Sequence, residues 1–450
     1  MCKFLENKWC LPAILLLALI LRLLPALWAA SEPQRLLRPD SGGYLTPAMA
    51  LVENGSYPTT RRPPGFPVFA AAVYALGGDN RMIAVTQVFI SVAACWVIAM
   101  AAKLYAGKVC GNIAALFAAL NMTAIANTPL LLSDTLFALF AAGQFCFFVG
   151  YCKTHRLSPL LCTVLIAAAA VLIRPINQLF IIVLITLIML KSDIPLKKRL
   201  LHCAYSILLF LAIITPWMLR NYLAGATFDI DTNTGAMRHQ NGAMLLAKVN
   251  GTDFESEKKK LLDIEKETFK SPEFGSERAQ EKWRKAEFRK MVLAHPFTYF
   301  MQHFDIRILL PDAPTLLEDF GITSSDRGTM GVLKKNGLLA ALKHYFGEKW
   351  LLIIPLLIPL LIPTALLYFA VLRQIIHYLC SFKKYWFELL MLLGFAEYYL
   401  FLPGSITAPR YQLPALPCLC TFAAIAAVAI CRKWKKDDVN EVEDTGLDQM

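Results

Sequence analysis

The sequence predicts an all-α polytopic membrane protein: a bundle of about ten transmembrane helices, an interfacial helix in the first outer loop and a small helical extracytoplasmic segment. Three observations predict it. Of the 450 residues, 57% are hydrophobic. Apolar runs of about 20 residues recur along the chain, each long enough to cross a bilayer. Basic residues crowd at one set of ends of these runs and are sparse at the other, as the positive-inside rule requires.

The first run, Leu11 to Ala30, follows basic residues as a signal peptide would. It is longer than a signal core, and no small-x-small cleavage site leads into a soluble domain, so it reads as a transmembrane helix. The remaining spans are expected at about 82–102, 110–128, 134–152, 157–173, 176–190, 200–219, 350–371, 386–402 and 411–431. Asn121, Asn127-Thr128-Pro129 and Arg174-Pro175 interrupt the apolar pattern. Phe66 to Gly78 is too short to span and is expected to dip into the outer leaflet. Four regions follow: an N-terminal membrane module, 1–219, with its first outer loop at 31–79; an extracytoplasmic helical segment, 220–349; C-terminal membrane helices, 350–431; and a disordered cytoplasmic tail, 432–450.

The cytoplasmic ends hold 17 basic residues, 13 of them lysine. The opposite face, outside 220–349, holds Arg35, Arg38, Arg61, Arg62, Arg81, Arg174 and Arg410, with no lysine among them. Lysine serves where only net charge matters, whereas the planar guanidinium fork matches carboxylate and phosphate oxygens. The outer arginines are therefore expected to have particular partners. The net charge of +12 reflects this topology and carries no aromatic-basic pattern for nucleic acid. None of the 12 cysteines lies in the two long outer segments, which excludes a disulfide framework. Cys418 and Cys420, His239 and His295 lack companions at ligand spacing, so no zinc site is expected.

The chain is organised around residues 39–67. Asp40 and Ser41 are good N-cap residues, Gly55 is a good stop, and Tyr44, Leu45, Ala48, Leu51 and Val52 recur at helical spacing. A short helix at the membrane surface follows, with Asp40 at its positive end. Arg61-Arg62-Pro63-Pro64 then holds the backbone extended. A carboxylate and an arginine pair fixed beside a bilayer suit a base and a phosphate clamp; a capped helix with an ordinary basic loop accounts for the same residues.

Further along, Arg22 lies inside the first span, where an ionisable residue is a functional candidate and otherwise snorkels or pairs structurally. Asp134, in Leu-Ser-Asp-Thr-Leu-Phe, starts the fourth span at the level of Asp40. It reads equally as a helix cap or as a second acid of a shared site. Arg174, Arg220 and Arg410 project at the same level; Arg410 is expected to pair with Glu397, and Trp217 to anchor the seventh span at the interface. In 220–349, two or three helices broken at Ser271-Pro272 are expected to cover the bundle, using Leu261, Leu262, Phe269, Trp283, Phe288 and Met291 as apolar anchors. No internal repeat is evident, which weighs against transporters built from two related halves.

Pro-Asp-Ser-Gly-Gly-Tyr-Leu followed by Arg-Pro-Pro-Gly-Phe-Pro resembles the integral-membrane glycosyltransferases of the GT-C class, in the branch of aminoarabinose transferases and protein O-mannosyltransferases. Leu-Ser-Asp-Thr-Leu-Phe, Ile-Arg-Pro, Pro-Trp-Met-Leu-Arg-Asn-Tyr and Arg-Tyr-Gln-Leu-Pro are similar to that family's later landmarks and occur in the same order, over roughly residues 10–430. The resemblance implies a GT-C-like bundle, a polyprenyl-phosphate-linked sugar donor and inverting transfer on the extracytoplasmic face of a bacterial plasma membrane. It puts the base on Asp40, the lipid phosphate on Arg62 and the later acid on Asp134. The family usually shows Asp-Glu where this chain has Asp40-Ser41, which argues against a protein acceptor and leaves glycan, lipid and protein acceptors open.

The residues suit this chemistry. A carboxylate can take the acceptor hydroxyl's proton, and preorganised arginines can stabilise a departing phosphate. The expected site is thus Asp40 and Asp134, with Arg62, Arg61, Arg174, Arg220, Arg410 and Tyr44 on the donor side. No cofactor is required, although a divalent metal is compatible with the chemistry. The competing readings are a pyrophosphate-linked glycan ligase or polymerase, a lipid or solute transporter, and a non-catalytic scaffold.

Overall fold

The computed structural model describes residues 5–233, 237–320, 329–347, 350–404 and 406–445, and every regular element among them is helical. Six helices are long and apolar enough to cross a membrane: Cys10–Ser31, Asn80–Ala106, Asp134–Thr154, Leu196–Leu223, Leu357–Cys380 and Pro409–Cys431. Six of the ten expected spans are therefore present at full length. The other four are shorter or broken, each for a local reason. The expected 110–128 span divides into Lys108–Ala119 and Met122–Asn127, because the Asn121 side chain accepts from the Ala124 N–H and starts a new helix. The spans expected at 157–173 and 176–190 become Leu157–Val171, a 3₁₀ turn at Pro175–Leu179, and Phe180–Leu190. Pro175 forces Arg174 into an extended conformation there (φ −142°, ψ 120°). The expected 386–402 span is Phe382–Leu392, a π segment Leu393–Glu397 and a last turn Tyr398–Phe401. A helix of 15 residues is only about 22 Å long, short of a hydrocarbon core of about 30 Å. Gly65–Ala75, expected to be too short to span, is an 11-residue helix. The last helix is Leu416–Thr445; residues 446–450 lie outside the described residues.

Small side chains let the central helices approach closely. Ala99, Ala101 and Ala102 of Asn80–Ala106, and Ala114, Ala115 and Ala118 of Lys108–Ala119, are all buried. Arg22 braces this core. Its side chain is fully buried, and it donates to Ser91 Oγ (2.7 Å) and to the carbonyls of Ala118 (2.9 Å) and Ala119 (3.0 Å). Those carbonyls end a helix and lack intrahelical partners, so the guanidinium satisfies them at the negative end of the helix dipole. Of the two readings of Arg22, structural pairing holds.

The lysines at one set of span ends make local contacts. Lys108 reaches the Glu6 carbonyl, and Lys191 and His155 share Asp193. At the other end, five of the seven outer arginines meet carboxylates: Arg35 with Glu32, Arg38 with Glu318 and Asp319, and Arg62, Arg174 and Arg410 as described below. Arg61 and Arg81 make no ion pair among the described residues.

The outer segment holds more helices than expected, among them Ala243–Asn250, Phe254–Thr268, Glu277–Ala294, Pro296–Met301 and Ala313–Asp319. The break at Ser271-Pro272 is present. Phe269, Phe274 and Trp283 form an aromatic cluster between the two long helices. Ala313, Leu316 and Leu317 pack on Met122, Ile125 and Ala126, which docks the segment on the bundle. The indole of Trp217 donates to the Ile230 carbonyl and meets Tyr57 edge-on, tying two loops together.

Candidate functional site

Residues Gly42–Asn54 form the expected short helix, closed by Gly55 in the left-handed conformation (φ 61°). Ser41 occupies the N-cap position without a side-chain cap bond, and its Oγ accepts from the Arg38 N–H. The Asp40 carboxylate is therefore free of capping duty. Its side chain is 51% exposed and accepts from Arg62 Nη2 at 2.8 Å. Two glycines border this meeting. A Cβ on Gly43 would lie 3.1 Å from Arg62 Nε, so a side chain at position 43 would make the guanidinium shift by a few tenths of an ångström. A Cβ on Gly65 would lie 2.6 Å from Ile173 Cγ1, and the Gly65 N–H donates to the Leu172 carbonyl at 2.7 Å. The Arg62 loop is thereby pressed against the strand of backbone that leads into Arg174.

Asp134 opens its helix at the positive end of the dipole, with a side chain only 6% exposed. Ser133 makes no side-chain cap bond, and the Asp134 carboxylate is taken by Arg174. The capping reading of Asp134 is thus replaced by an ion pair. Arg410 joins the two acids: its Nη2 lies 3.7 Å from Asp40 Oδ2 and its Nε 3.8 Å from Asp134 Oδ2. The expected Glu397–Arg410 pair does not form among the described residues. The result is a row of alternating charge, Arg62, Asp40, Arg410, Asp134, Arg174, with one positive charge in excess. Arg410 Nε is buried and has no hydrogen-bond acceptor among the described residues. Tyr411 lies under both Arg174 (5.2 Å) and Arg410 (5.4 Å), and Tyr44 under Arg62 (4.7 Å). The Tyr44 hydroxyl also contacts Arg62 Nη1 (3.3 Å) and Ser133 Oγ (3.2 Å), which links the two loops.

Two of the expected donor-side residues stand apart from this row. Arg220 donates to the carbonyls of Thr59 (2.8 Å) and Tyr57 and lies over the rings of Tyr57 and Trp217. The Tyr57 hydroxyl in turn donates to the Arg62 carbonyl at 3.0 Å. Arg220 thus acts on the loop that carries Arg62. Arg61 is exposed, and its backbone N–H donates to Thr59 Oγ1.

The outer segment closes over this loop. Thr232 donates its N–H to the Thr60 carbonyl, and its hydroxyl pairs with Thr60 Oγ1 at 3.0 Å. Asp231, beside them, escaped the sequence reading. Burial pushes its carboxyl up to about 7, against the pull of Arg62 and with Asp229 and Glu281 adding to the rise. The only signal for it was an Asp-x-Asp pair in a non-helical outer stretch, a pattern common in loops.

A cavity of ≈ 300 Å³ opens beside Asp134 and Arg174, with Phe137, Tyr399 and Tyr411 among its walls. Asp40 and Arg62 do not line it. Among the described residues, no group of three or more His, Cys, Asp or Glu side chains is arranged to hold a metal ion.

Residues 61–219 match the family described as dolichyl-phosphate-mannose-protein mannosyltransferase. No curated protein matches the sequence. Among solved structures, the chain is similar to the archaeal oligosaccharyltransferase AglB from Archaeoglobus fulgidus in complex with an inhibitory peptide and a dolichol-phosphate (TM-score 0.52, 12% identity, covering 97% of this chain and 52% of that one). The apo oligosaccharyltransferase of Archaeoglobus fulgidus gives TM-score 0.55 and 15% identity, with 97% and 52% covered. ArnT from Cupriavidus metallidurans bound to undecaprenyl phosphate gives TM-score 0.48 and 14% identity, with 97% and 63% covered. The chain spans about half the length of the oligosaccharyltransferase structures. The match over residues 61–219 and the likeness to the two oligosaccharyltransferase structures show a GT-C-class fold for an integral membrane protein.

Proposed function

We propose that this chain is an inverting glycosyltransferase that moves a sugar from a polyprenyl-phosphate donor to an acceptor hydroxyl on the extracytoplasmic face of the membrane. The observation that carries this reading is Arg410, which spans Asp40 and Asp134 while Arg62 and Arg174 flank them. Three fixed guanidiniums with two carboxylates leave room for one more anion, and a guanidinium's planar fork matches phosphate oxygens. Asp40, the half-exposed acid, can be reached by an acceptor, whereas Asp134 is engaged by Arg174 and Arg410.

In this mechanism, Asp40 takes the proton of the acceptor hydroxyl as its oxygen attacks the anomeric carbon. The bond from that carbon to the phosphate oxygen breaks on the opposite face, so the configuration inverts. The leaving phosphate keeps the bonding pair, and Arg62, Arg174 and Arg410 bind the charge that develops on it. Asp134 orients Arg174 and Arg410. The lysine-rich end of the bundle faces the cytoplasm under this reading, which puts the acid row outside. The working parts come from the 1–219 module, with Arg410 supplied by the 350–431 helices and the 220–349 segment as a cover.

The oligosaccharyltransferase likeness and the three arginines also favour a second reading, transfer of a glycan from a pyrophosphate-linked lipid. Purified protein in detergent, supplied with a phosphate-linked or a pyrophosphate-linked donor, separates the two; transfer without compartments also excludes a transporter. Asp40→Asn is expected to insert and fold normally and to lower kcat by about 10²–10⁴, the usual contribution of a general base. Full transfer by Asp40→Asn overturns the assignment.

A further inference from the structure

The outer segment carries an apolar face that the charge row does not use. Phe297, Phe300 and Met301 share one side of the helix Pro296–Met301, at spacings of three and four. Leu293 before them, and Phe304 and Ile306 after them, are exposed as well; all six lie between 47% and 80% exposed. No Asp, Glu, Lys or Arg occurs from Ala294 to Phe304. The three phenylalanines alone leave on the order of 300 Å² of ring surface uncovered, a patch of the size that marks an interaction site. Exposed Arg289 and Lys290 precede the face, and the Asp305–Arg307 ion pair follows it.

The opposite side of this helix is committed to protein, which fixes the way the apolar side points. Gln302 is buried and donates to the Met244 carbonyl at 3.2 Å. Tyr299 meets Phe288 edge-on and is hydrogen-bonded with Asn241, on the rim of the cavity beside Asp134.

The chain is held to the membrane-crossing bundle at both ends of the face. His303 Nδ1 donates to the Phe401 carbonyl at 2.8 Å, and Phe300 and Phe304 pack on the Phe401 ring, at the end of the last turn Tyr398–Phe401. Past the face, Ala313, Leu316 and Leu317 share an apolar cluster with Leu21 of the first span and with Leu357, which opens the span Leu357–Cys380. A surface pinned between two such points meets acyl chains directly. Aromatic rings flanked by basic side chains are the usual makeup of a membrane interface.

We infer that residues 293–306 rest in the lipid leaflet at the Asp40 end of the bundle, with the phenylalanines among the acyl chains and Arg289, Lys290 and Arg307 at headgroup level. This placement holds whether or not the chain transfers a sugar. A second copy seated on the same face would bury it equally, and the experiment separates the two.

Phe297→Trp and, separately, Phe304→Trp put a reporter on the face; Ile264→Trp puts one on the exposed side of the charged helix Phe254–Thr268. The purified full chain is set in nanodiscs of phosphatidylcholine and phosphatidylglycerol in equal parts. Added emission is read as the difference from the unaltered chain, which holds 8 tryptophans. Phosphatidylcholine brominated along its acyl chains is expected to remove about half or more of the added emission at the two face positions and little at position 264. Aqueous iodide is expected to do the reverse. Iodide quenching without bromolipid quenching at either face position overturns the placement. Shielding of a face reporter from both quenchers also overturns it, since a protein surface then covers the face.

Discussion

Replacing Arg410 with glutamine removes the one cation shared by both aspartates and keeps a side chain of similar reach. Its nitrogens lie 3.7 Å and 3.8 Å from the two carboxylates, where a unit pair is worth about 4 kcal/mol at an effective dielectric of about 20. Half of that setting is wet, because Asp40 is 51% exposed, so the stabilising part is mainly the contact to buried Asp134. Asp134 keeps Arg174 after the substitution, and Asp40 keeps Arg62. The variant is therefore expected to fold, at a cost of about 1–2 kcal/mol. The loss should fall on ligand binding. A hydrogen bond between charged groups contributes roughly 1.5–3 kcal/mol, and Arg410 also supplies the excess positive charge of the row. Affinity for a polyprenyl phosphate is expected to weaken by about 10²-fold, or roughly 3 kcal/mol. Arg410→Lys keeps the charge but presents a compact ammonium that cannot span both acids, and is expected to fall between the two. Equilibrium binding in detergent, with a thermal melt alongside, reads both effects. If Arg410→Gln binds the lipid phosphate as tightly as the unaltered chain, the row is a structural lattice and the phosphate assignment fails.

Gly65→Ala is expected to lower transfer by an order of magnitude or more at normal expression, because its Cβ would meet Ile173 Cγ1 at 2.6 Å and drive the Arg62 loop from its seat; Gly42→Ala, whose Cβ meets nothing within 4 Å, should be nearly silent in the same assay. Arg22→Met leaves the Ala118 and Ala119 carbonyls without a donor inside the bundle and is expected to cost about 3 kcal/mol, measured as a fall in Tm in detergent with donor binding preserved in the fraction that folds. Burial raises the Glu265 carboxyl, but hydrogen bonds from His239 and Arg284 outweigh this and hold it at about 2. A depressed carboxyl stabilises the fold above its unfolded value, and this contribution, roughly 3 kcal/mol, is lost as pH falls from about 4.5 toward 2. Glu265→Gln should flatten that acid limb in a pH series of unfolding measurements on the full chain; an unchanged limb would mean that other carboxylates dominate it.

Composition and periodicity decided that this is a helical membrane protein, because a bilayer imposes one requirement, long apolar helices, that can be counted in a sequence. The same reading marked Asp40, Arg62, Asp134, Arg174 and Arg410, since arginine where lysine would suffice, and acids at span ends, are legible one residue at a time. Tertiary structure decided how they combine. Arg410 paired with neither Glu397 nor solvent but with two aspartates 276 and 370 positions earlier in the chain. Arg220, similar to the others in its sequence setting, went to the backbone carbonyls of the first loop. The glycine at 65 is needed only because Leu172 and Ile173, from elsewhere in the chain, lie against it. Four spans came out short or broken, as backbone geometry at Asn121 and Pro175 overrode an apolar count. Hydrophobicity is a property of residues and survives in a list of them; a charge row or a cavity is a relation between distant segments, and exists only once packing has brought them within a few ångströms.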